Sequence, residues 1–416
     1  MSIIKPQTLS GFRDFLPAEK RKRDWMIGKI VAVFERFGFE PLETPTLESA
    51  SLLLGKYGTE ADKLVYTFKD KGYRDVGLRY DQTVPTARVL AQYENELPKY
   101  FRRYQIQNVF RAERPQKGRF REFTQCDIDI FGSTNPLSDA EILACTYQSY
   151  VNVGFKNVIL KLNDRATLLS NLEKFATESV NVFSIIQSID KLDKVSEADV
   201  AGELKRKGLS EDQASGALAT IKNAKCSSQL SKIISLTQKL GVPKAALVFT
   251  PALARGLDYY TGMIFEVSVP EYGTSSLGGG GRYDKLIEQL GGNSIPAVGI
   301  AFGFDRMIEA ADLLQLFTKE NLGTKVLVTV FGQSLLDVSL KLTNLLRSAG
   351  IASEFYIEPD DKLDKQLKYA DRKGIPYVII QGPDETKRNV VKLKTLATKE
   401  QEEMTIEELI QKLKGN

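Results

Sequence analysis

The chain has 416 residues, of which 42% are hydrophobic and 26% charged, and its net charge is +4. This is the composition of a globular protein with length for two or three domains, and no apolar run approaches the roughly 20 residues a membrane helix needs. Histidine is absent, which excludes imidazole as base, nucleophile or metal ligand.

Three scattered cysteines, Cys126, Cys145 and Cys226, do not make a disulfide framework or a zinc cluster. They fit a reducing, cytoplasmic setting. The first twenty residues lack the apolar stretch of a secretory signal. Residues 20–37 carry Met26, Ile30, Val33, Phe34 and Phe37 at helical spacing, with Gly38 as a stop. Glu40 to Pro45 then predicts an extended exit.

Residues 104–131 predict a long hairpin. Tyr104, Ile106 and Phe110 alternate along the first arm, and the turn spans the polar, breaker-rich Glu113 to Arg119. On the return arm Cys126, Ile128 and Ile130 share one face, while Arg121, Phe123, Gln125, Asp127 and Asp129 share the other. An apolar face behind a polar one fits an antiparallel sheet with a site on its open side. From Lys99 to Phe123 there are eight Lys or Arg and two Glu, a net of +6 over 25 residues. Such a cluster concentrates positive potential where phosphates can bind.

Residues 165–240 change character, with helical spacing, few aromatics and capped starts such as Ser210-Glu211-Asp212-Gln213. They predict a helical insertion. Strand patterns return at 257–269 and 295–302. Beyond Leu322-Gly323, apolar runs at 326–330 and 377–380 alternate with helical patterns at 334–348 and 362–373, which predicts a small α/β domain with a mixed sheet. The expected division is 1–164 and 241–322 as two parts of a catalytic domain, 165–240 inserted between them, and 323–416 as a separate domain.

The chemistry must be carried without the common nucleotide loops. No G-x-x-x-x-G-K-[ST] occurs, and no G-x-G-x-x-G joins a strand to a helix. What the chain has instead is five polar stretches: Leu78-Arg79-Tyr80-Asp81-Gln82-Thr83, Phe110-Arg111-Ala112-Glu113 with Arg121-Glu122-Phe123, Ala254-Arg255-Gly256-Leu257-Asp258-Tyr259-Tyr260-Thr261-Gly262, Gly278-Gly279-Gly280-Gly281-Arg282-Tyr283-Asp284, and Gly299-Ile300-Ala301-Phe302-Gly303-Phe304-Asp305-Arg306. Guanidinium groups grip phosphates bidentately, aromatic faces stack on bases, and glycine runs let a backbone approach a ligand closely.

Together these stretches resemble the histidine–tRNA ligases, class II aminoacyl-tRNA synthetases, over nearly the whole chain. The resemblance implies an α+β fold: an antiparallel sheet flanked by helices, a helical insertion and a C-terminal α/β anticodon-binding domain. It implies that histidine is joined to its tRNA through a histidyl-adenylate, with ATP as substrate and Mg2+ neutralising the leaving pyrophosphate. Residue by residue, Arg111 would hold the α-phosphate, Glu113 would read the adenine amino group and Phe123 would stack on the base. Arg119 or Arg121 would sit near the outer phosphates, and Arg306 would clamp the nucleotide from the first turn of a helix. The family more often has Glu before that last arginine, where this chain has Asp305. Asp81, Gln82 and Thr83 would hold the substrate ammonium in the Arg-Tyr-Asp version of eukaryotic and archaeal members, where many bacterial members carry Arg-Pro-Glu-Gly-Thr. Gln125, Asp129, Tyr259 and Tyr260 would read the imidazole. Arg255 would stabilise the charge built on the α-phosphate. The helix and strand over 20–45 resemble class II motif 1, which implies a homodimer.

Two alternatives belong to the same resemblance. A catalytically dead paralogue of the synthetase, serving as a regulatory subunit of ATP phosphoribosyltransferase, tends to lose the Arg255–Tyr260 peptide and the tail, and both are present here. A synthetase for proline or threonine is disfavoured by the tyrosine pair and Asp129. The tail itself has 15 Lys or Arg against 14 Asp or Glu from residue 324 onward, so its RNA role rests on the resemblance and not on charge.

Overall fold

The computed structural model describes residues 6–54, 63–116, 118–193, 195–255, 259–289, 293–317 and 323–415. Parts of the expected motifs, Lys117, Gly256, Leu257, Asp258 and Leu322, lie outside the described residues. The chain forms two compact units, one from residues 1–16 and 26–316, the other from 17–25 and 317–416.

The larger unit is built on an eight-stranded sheet. After helix α1 (Pro17–Arg36) come β1 (Glu40–Pro41), β2 (Leu47–Ser49), β3 (Thr67–Lys69) and β4 (Asp75–Leu78). Helix α2 (Thr83–Gln92) leads to the hairpin β5 (Phe101–Phe110) and β6 (Glu122–Phe131), then α3 (Pro136–Val153) and β7 (Ile159–Asp164). Five helices follow, α4 (Arg165–Leu172), α5 (Val182–Ile189), α6 (Glu197–Lys207), α7 (Glu211–Lys222) and α8 (Ser228–Lys239). The sheet is completed by β8 (Leu247–Phe249), β9 (Met263–Ser268), β10 (Gly278–Arg282) and β11 (Ala297–Phe302), and α9 (Phe304–Leu313) closes the unit. The strand order is β1-β5-β6-β11-β10-β9-β7-β8, antiparallel except for parallel pairs at its two edges. β2, β4 and β3 make a separate antiparallel sheet.

One face of the large sheet is apolar and covered. Cys126 and Ile128 are fully buried. The Phe302 ring meets Phe34 of α1 and Tyr150 of α3 at 5.4 and 5.6 Å between ring centroids. Side chains on a strand alternate, so the neighbouring residues Gln125, Asp127 and Asp129 point to the opposite, open face. The register carries this polarity across the hairpin, with Arg103 opposite Asp129, Gln105 opposite Asp127 and Gln107 opposite Gln125.

Helices α4 to α7 share a core of Leu168, Leu172, Ile185, Ile186, Val200, Leu204, Ala217 and Ile221. α6 and α7 open on capping boxes at Ser196 and Ser210. α8 packs instead along α3.

The smaller unit has the mixed sheet that the alternating pattern predicts, in the order β13-β12-β14-β15-β16. Its strands are β12 (Val326–Val328), β13 (Ser353–Phe355), β14 (Tyr377–Ile380), β15 (Val391–Thr395) and β16 (Gln401–Met404). Val326 and Val328 pack with Leu342 and Leu346 of α10 (Leu336–Ser348), while Leu327 packs with Ala370 of α11 (Leu363–Lys373) on the other face. Leu409 and Leu413 of α12 (Ile406–Gly415) join the first of these cores. Gln366, fully buried, both accepts from the Val330 amide at 3.0 Å and donates to its carbonyl at 2.7 Å.

Candidate active site

The open face of the large sheet holds two adjoining cavities of about 560 and 540 Å³. Asp81, Thr83, Gln125, Asp129, Tyr259 and Tyr260 line the first. Glu113, Arg119, Phe123 and Arg306 line the second. Arg111, Gln125, Arg255, Gly279 and Ala301 line both.

The floor of the first cavity is a polar ladder across β5 and β6. Arg103, 1% exposed, pairs with Asp129 at 2.8 Å, and the Tyr283 hydroxyl donates to the same carboxylate. Burial pushes the Asp129 carboxyl up, against the pull of Arg103 and the Tyr283 hydrogen bond. Burial pushes Asp127 up to about 8, opposed by Arg103 and helped by the Asp129 and Asp81 charges. Burial thus biases Asp127 toward its protonated form. Gln125 Oε1 and Asp127 Oδ1 are buried oxygens with no hydrogen-bond partner among the described residues. Buried polar atoms are rarely left so, and a ligand or water entering the cavity would satisfy them.

Glycine makes the room. A Cβ on Gly299 would lie 1.8 Å from Asp129 Oδ1, and one on Gly279 would lie 1.4 Å from Arg255 Nη1. The Arg255 guanidinium lies against Gly279 of β10, donates to the Phe265 carbonyl at 3.3 Å and stands 3.8 Å from Glu266. Burial works against its charge, but Tyr260, Glu266, Tyr259 and Asp190 outweigh that and raise its pKa further. The rings of Tyr259 and Tyr260 pack 4.6 Å apart, and Tyr283 meets Tyr259 edge-on at 5.9 Å.

In the second cavity the Arg111 guanidinium sits 5.0 Å above the Phe123 ring and donates to the Tyr80 carbonyl at 3.2 Å. Arg119 is 66% exposed and stands 3.8 Å from Glu113. Arg306, in the first turn of α9, donates to the Ser276 carbonyl at 2.9 Å.

Some residues named from sequence stand elsewhere. Gln82 is fully buried, and its amide donates to the Gln107 and Gln125 carbonyls at 3.3 and 3.2 Å, beneath the cavity floor. Arg121 donates to the Glu113 and Ser10 carbonyls and so ties the hairpin turn. Arg79 straps Asn108 and Thr44 by their carbonyls. Asp305 pairs with Arg13 at 3.0 Å rather than with Arg306. The basic cluster over 99–123 is thus dispersed, with Arg102 pairing to Glu141 at 2.5 Å and Arg103 turned inward. Sequence reasoning left Arg103, Gln105, Asp127 and Tyr283 without roles. The period-two run Arg103, Gln105, Gln107 was the available signal.

Among the described residues no cluster of three or more carboxylate or thiol groups could hold a metal, and no helix is long and apolar enough to cross a membrane.

Comparison with known proteins places the whole chain among relatives of one family. A family model described as histidyl-tRNA synthetase matches residues 11–307, and one described as anticodon binding domain matches residues 325–416. The Histidine--tRNA ligase of Gloeobacter violaceus is 38% identical, with 96% of each chain covered. That of Cytophaga hutchinsonii is 36% identical over 98% of this chain and 99% of its own. Among solved structures, histidyl-tRNA synthetase from Nostoc sp. superposes with a TM-score of 0.86 at 30% identity, covering 99% of both chains. By the matched model, the extent of these relatives and the shared fold, the chain belongs to the histidyl-tRNA synthetase family.

Proposed function

We propose that the two cavities are the histidine and ATP subsites of an ATP-dependent histidine–tRNA ligase, and that the reacting atoms meet where Arg111 and Arg255 line both. That shared lining is the observation that carries the assignment. Histidine enters over the polar ladder. Asp81 and Thr83 take its ammonium group, and Gln125, Asp129, Tyr259 and Tyr260 read the imidazole, with Gln82 fixing Gln125 from below. ATP lies in the second cavity, its adenine stacked on Phe123 and its amino group read by Glu113. Arg119 and Arg306 face the outer phosphates.

A carboxylate oxygen of histidine attacks the α-phosphorus, the bond to the bridging oxygen breaks, and pyrophosphate leaves. Negative charge grows on the α-phosphoryl oxygens as this happens, and a fixed guanidinium stabilises it without a proton transfer. Arg255, clamped against β10, is suited to that task, and a chain without histidine needs no imidazole for it. In the second step a terminal ribose hydroxyl of tRNA attacks the carbonyl of the adenylate and AMP leaves. Glu113, Glu266 and Asp305 are the carboxylates lining the ATP cavity; Glu113 is given to the adenine amino group, and Asp305 pairs with Arg13. Glu266 would hold Mg2+, which binds through one or two carboxylates and substrate phosphates and offsets their charge. The 325–416 domain takes the anticodon end of the tRNA. The active species is a cytoplasmic homodimer, on the resemblance of residues 20–45 to motif 1.

ATP–pyrophosphate exchange with each of the twenty amino acids tests the assignment. Exchange is expected with histidine and barely with any other. Strong exchange with proline or threonine would sink it.

A further inference from the structure

The segment that presents Arg255 is gripped by side chains of β7 and the helical module. β8 ends at Phe249, and from there to Arg255 the chain has no strand or helix. Asn163, 4% exposed, donates to the carbonyls of Pro251 and Leu253 at 2.9 and 2.8 Å. Arg165, 1% exposed, donates to the carbonyl of Ala254 at 3.0 Å and of Arg255 at 3.4 Å. Asp190, just past the end of α5, accepts on a single oxygen from the Ala254 amide at 3.1 Å and the Arg255 amide at 3.2 Å. Ala254 is fully buried in the core of the module.

Arg255 has reason to need this. Its φ is +47°, in the left-handed region that L-residues with a Cβ occupy only against a steric cost. Two successive amides converging on one carboxylate oxygen form an anion-binding nest. An anion held there favours the backbone conformation that presents both amides to it. Arg165 meets the same two residues from their carbonyl side. Backbone and side chain of Arg255 are therefore fixed from opposite directions: the peptide by the helical module, the guanidinium by β9 and β10.

We propose that Asp190 and Arg165 are positioning residues for the adenylation step, holding the Ala254–Arg255 peptide so that the guanidinium stands at the α-phosphate, and that the helical module is in this way part of the catalytic apparatus. This rests on the role given to Arg255 above.

The test is pyrophosphate exchange by the full chain. Asp190→Ala should lower kcat by about ten- to a hundred-fold, the effect of losing a charge-assisted hydrogen-bond acceptor. The KM values for histidine and ATP should stay near those of the parent. Asp190→Asn keeps an acceptor oxygen and should recover most of the rate. In an Arg255→Ala background Asp190→Ala should have no further effect, because it acts through the missing side chain. An unchanged kcat in Asp190→Ala, or an equal loss in both backgrounds, overturns the proposal. Arg255→Ala without effect would overturn the assignment of Arg255 instead, so the two failures are told apart. If Asp190→Ala does not fold, Arg165→Lys goes through the same cycle. It keeps the charge and loses the planar fork, and its loss of kcat should likewise vanish without Arg255. A loss that persists there overturns the proposal equally.

Discussion

Gly279 has no side chain because Arg255 occupies the place one would take. Gly279→Ala would set a methyl 1.4 Å from Nη1 and 3.0 Å from the Phe265 carbonyl. The guanidinium is the part that can yield. Adenylate formation should then fall by about 10² or more, as when an oxyanion donor is lost, while the melting temperature changes modestly. Single-turnover rates and thermal melts on the same preparation check both, and an unaltered rate would remove Arg255 from the reaction centre. Asp127 gives a second prediction. An unfolded aspartate titrates near 3.9, whereas folded Asp127 is pushed up to about 8 by burial. Between those values the folded chain keeps a proton that the unfolded chain has released. The stability linked to Asp127 is complete below about pH 4 and is lost as pH rises through 8. Asp127→Asn should therefore melt close to the parent at pH 4 and above it at pH 9. A difference that does not grow with pH counts against a buried, protonated carboxyl. Neither effect could be read from the sequence alone. The residue types were legible, but their roles depend on which strands lie side by side. Asp129 was visible as an acid on the polar face, yet its pairing with Arg103 and Tyr283 required the register of three strands.

The same division holds for whole elements. The hairpin was legible because strict alternation and a breaker-rich turn coincide in one stretch, and α7 because Ser210 marks its start. β2, β3 and β4, of three or four residues each, are too short for periodicity to show. α8 has the apolar spacing of its neighbours, but spacing tells which face is buried and not what covers it. In the structure α8 lies along α3, outside the shared core of the other four helices. The caps allow a quantitative test. Ser210 is exposed, and its hydroxyl accepts from the Gln213 amide at 3.2 Å. Ser210→Ala should destabilise α7 by about 1 kcal/mol, seen as faster amide exchange along that helix, with pyrophosphate exchange unaltered because Asp190 and Arg165 lie on other elements. Slower pyrophosphate exchange in this variant would mean that α7 bears on the site directly.

At the scale of the molecule, every residue assigned to histidine or ATP lies in the unit that ends at Leu316. A chain ending there should still form histidyl-adenylate. It should charge tRNA at least about tenfold less efficiently at low tRNA concentration, because distant contacts supply the binding energy that positions the acceptor end. Such a chain also leaves Trp25 without Phe317, its ring neighbour at 5.2 Å, so a loss of solubility is expected unless Trp25 is changed to a polar residue. Both half-reactions, measured on intact and shortened chains, decide it. Undiminished charging by the shortened chain would separate residues 325–416 from tRNA. The sequence changes pattern after residue 322, whereas the unit ends at Leu316. The membership of 17–25 in the second unit was not legible in the sequence, since α1 reads as one unbroken helix.

The parallel pairing of β7 with β8 sets an order of assembly. Leu160 faces Leu247 and Leu162 faces Phe249, and the whole of residues 165–246 must be accommodated before those contacts can form. Closing so long a loop is entropically costly while it is unfolded, and collapse of α4 to α7 into their own core shortens it. The β5–β6 hairpin needs only local contacts and can form early. Arg255 follows β8 and takes its backbone support from the collapsed helices. The hairpin that carries Phe123 can therefore form before the backbone support of Arg255 exists, and adenylate formation waits on collapse of the helices however early the hairpin folds.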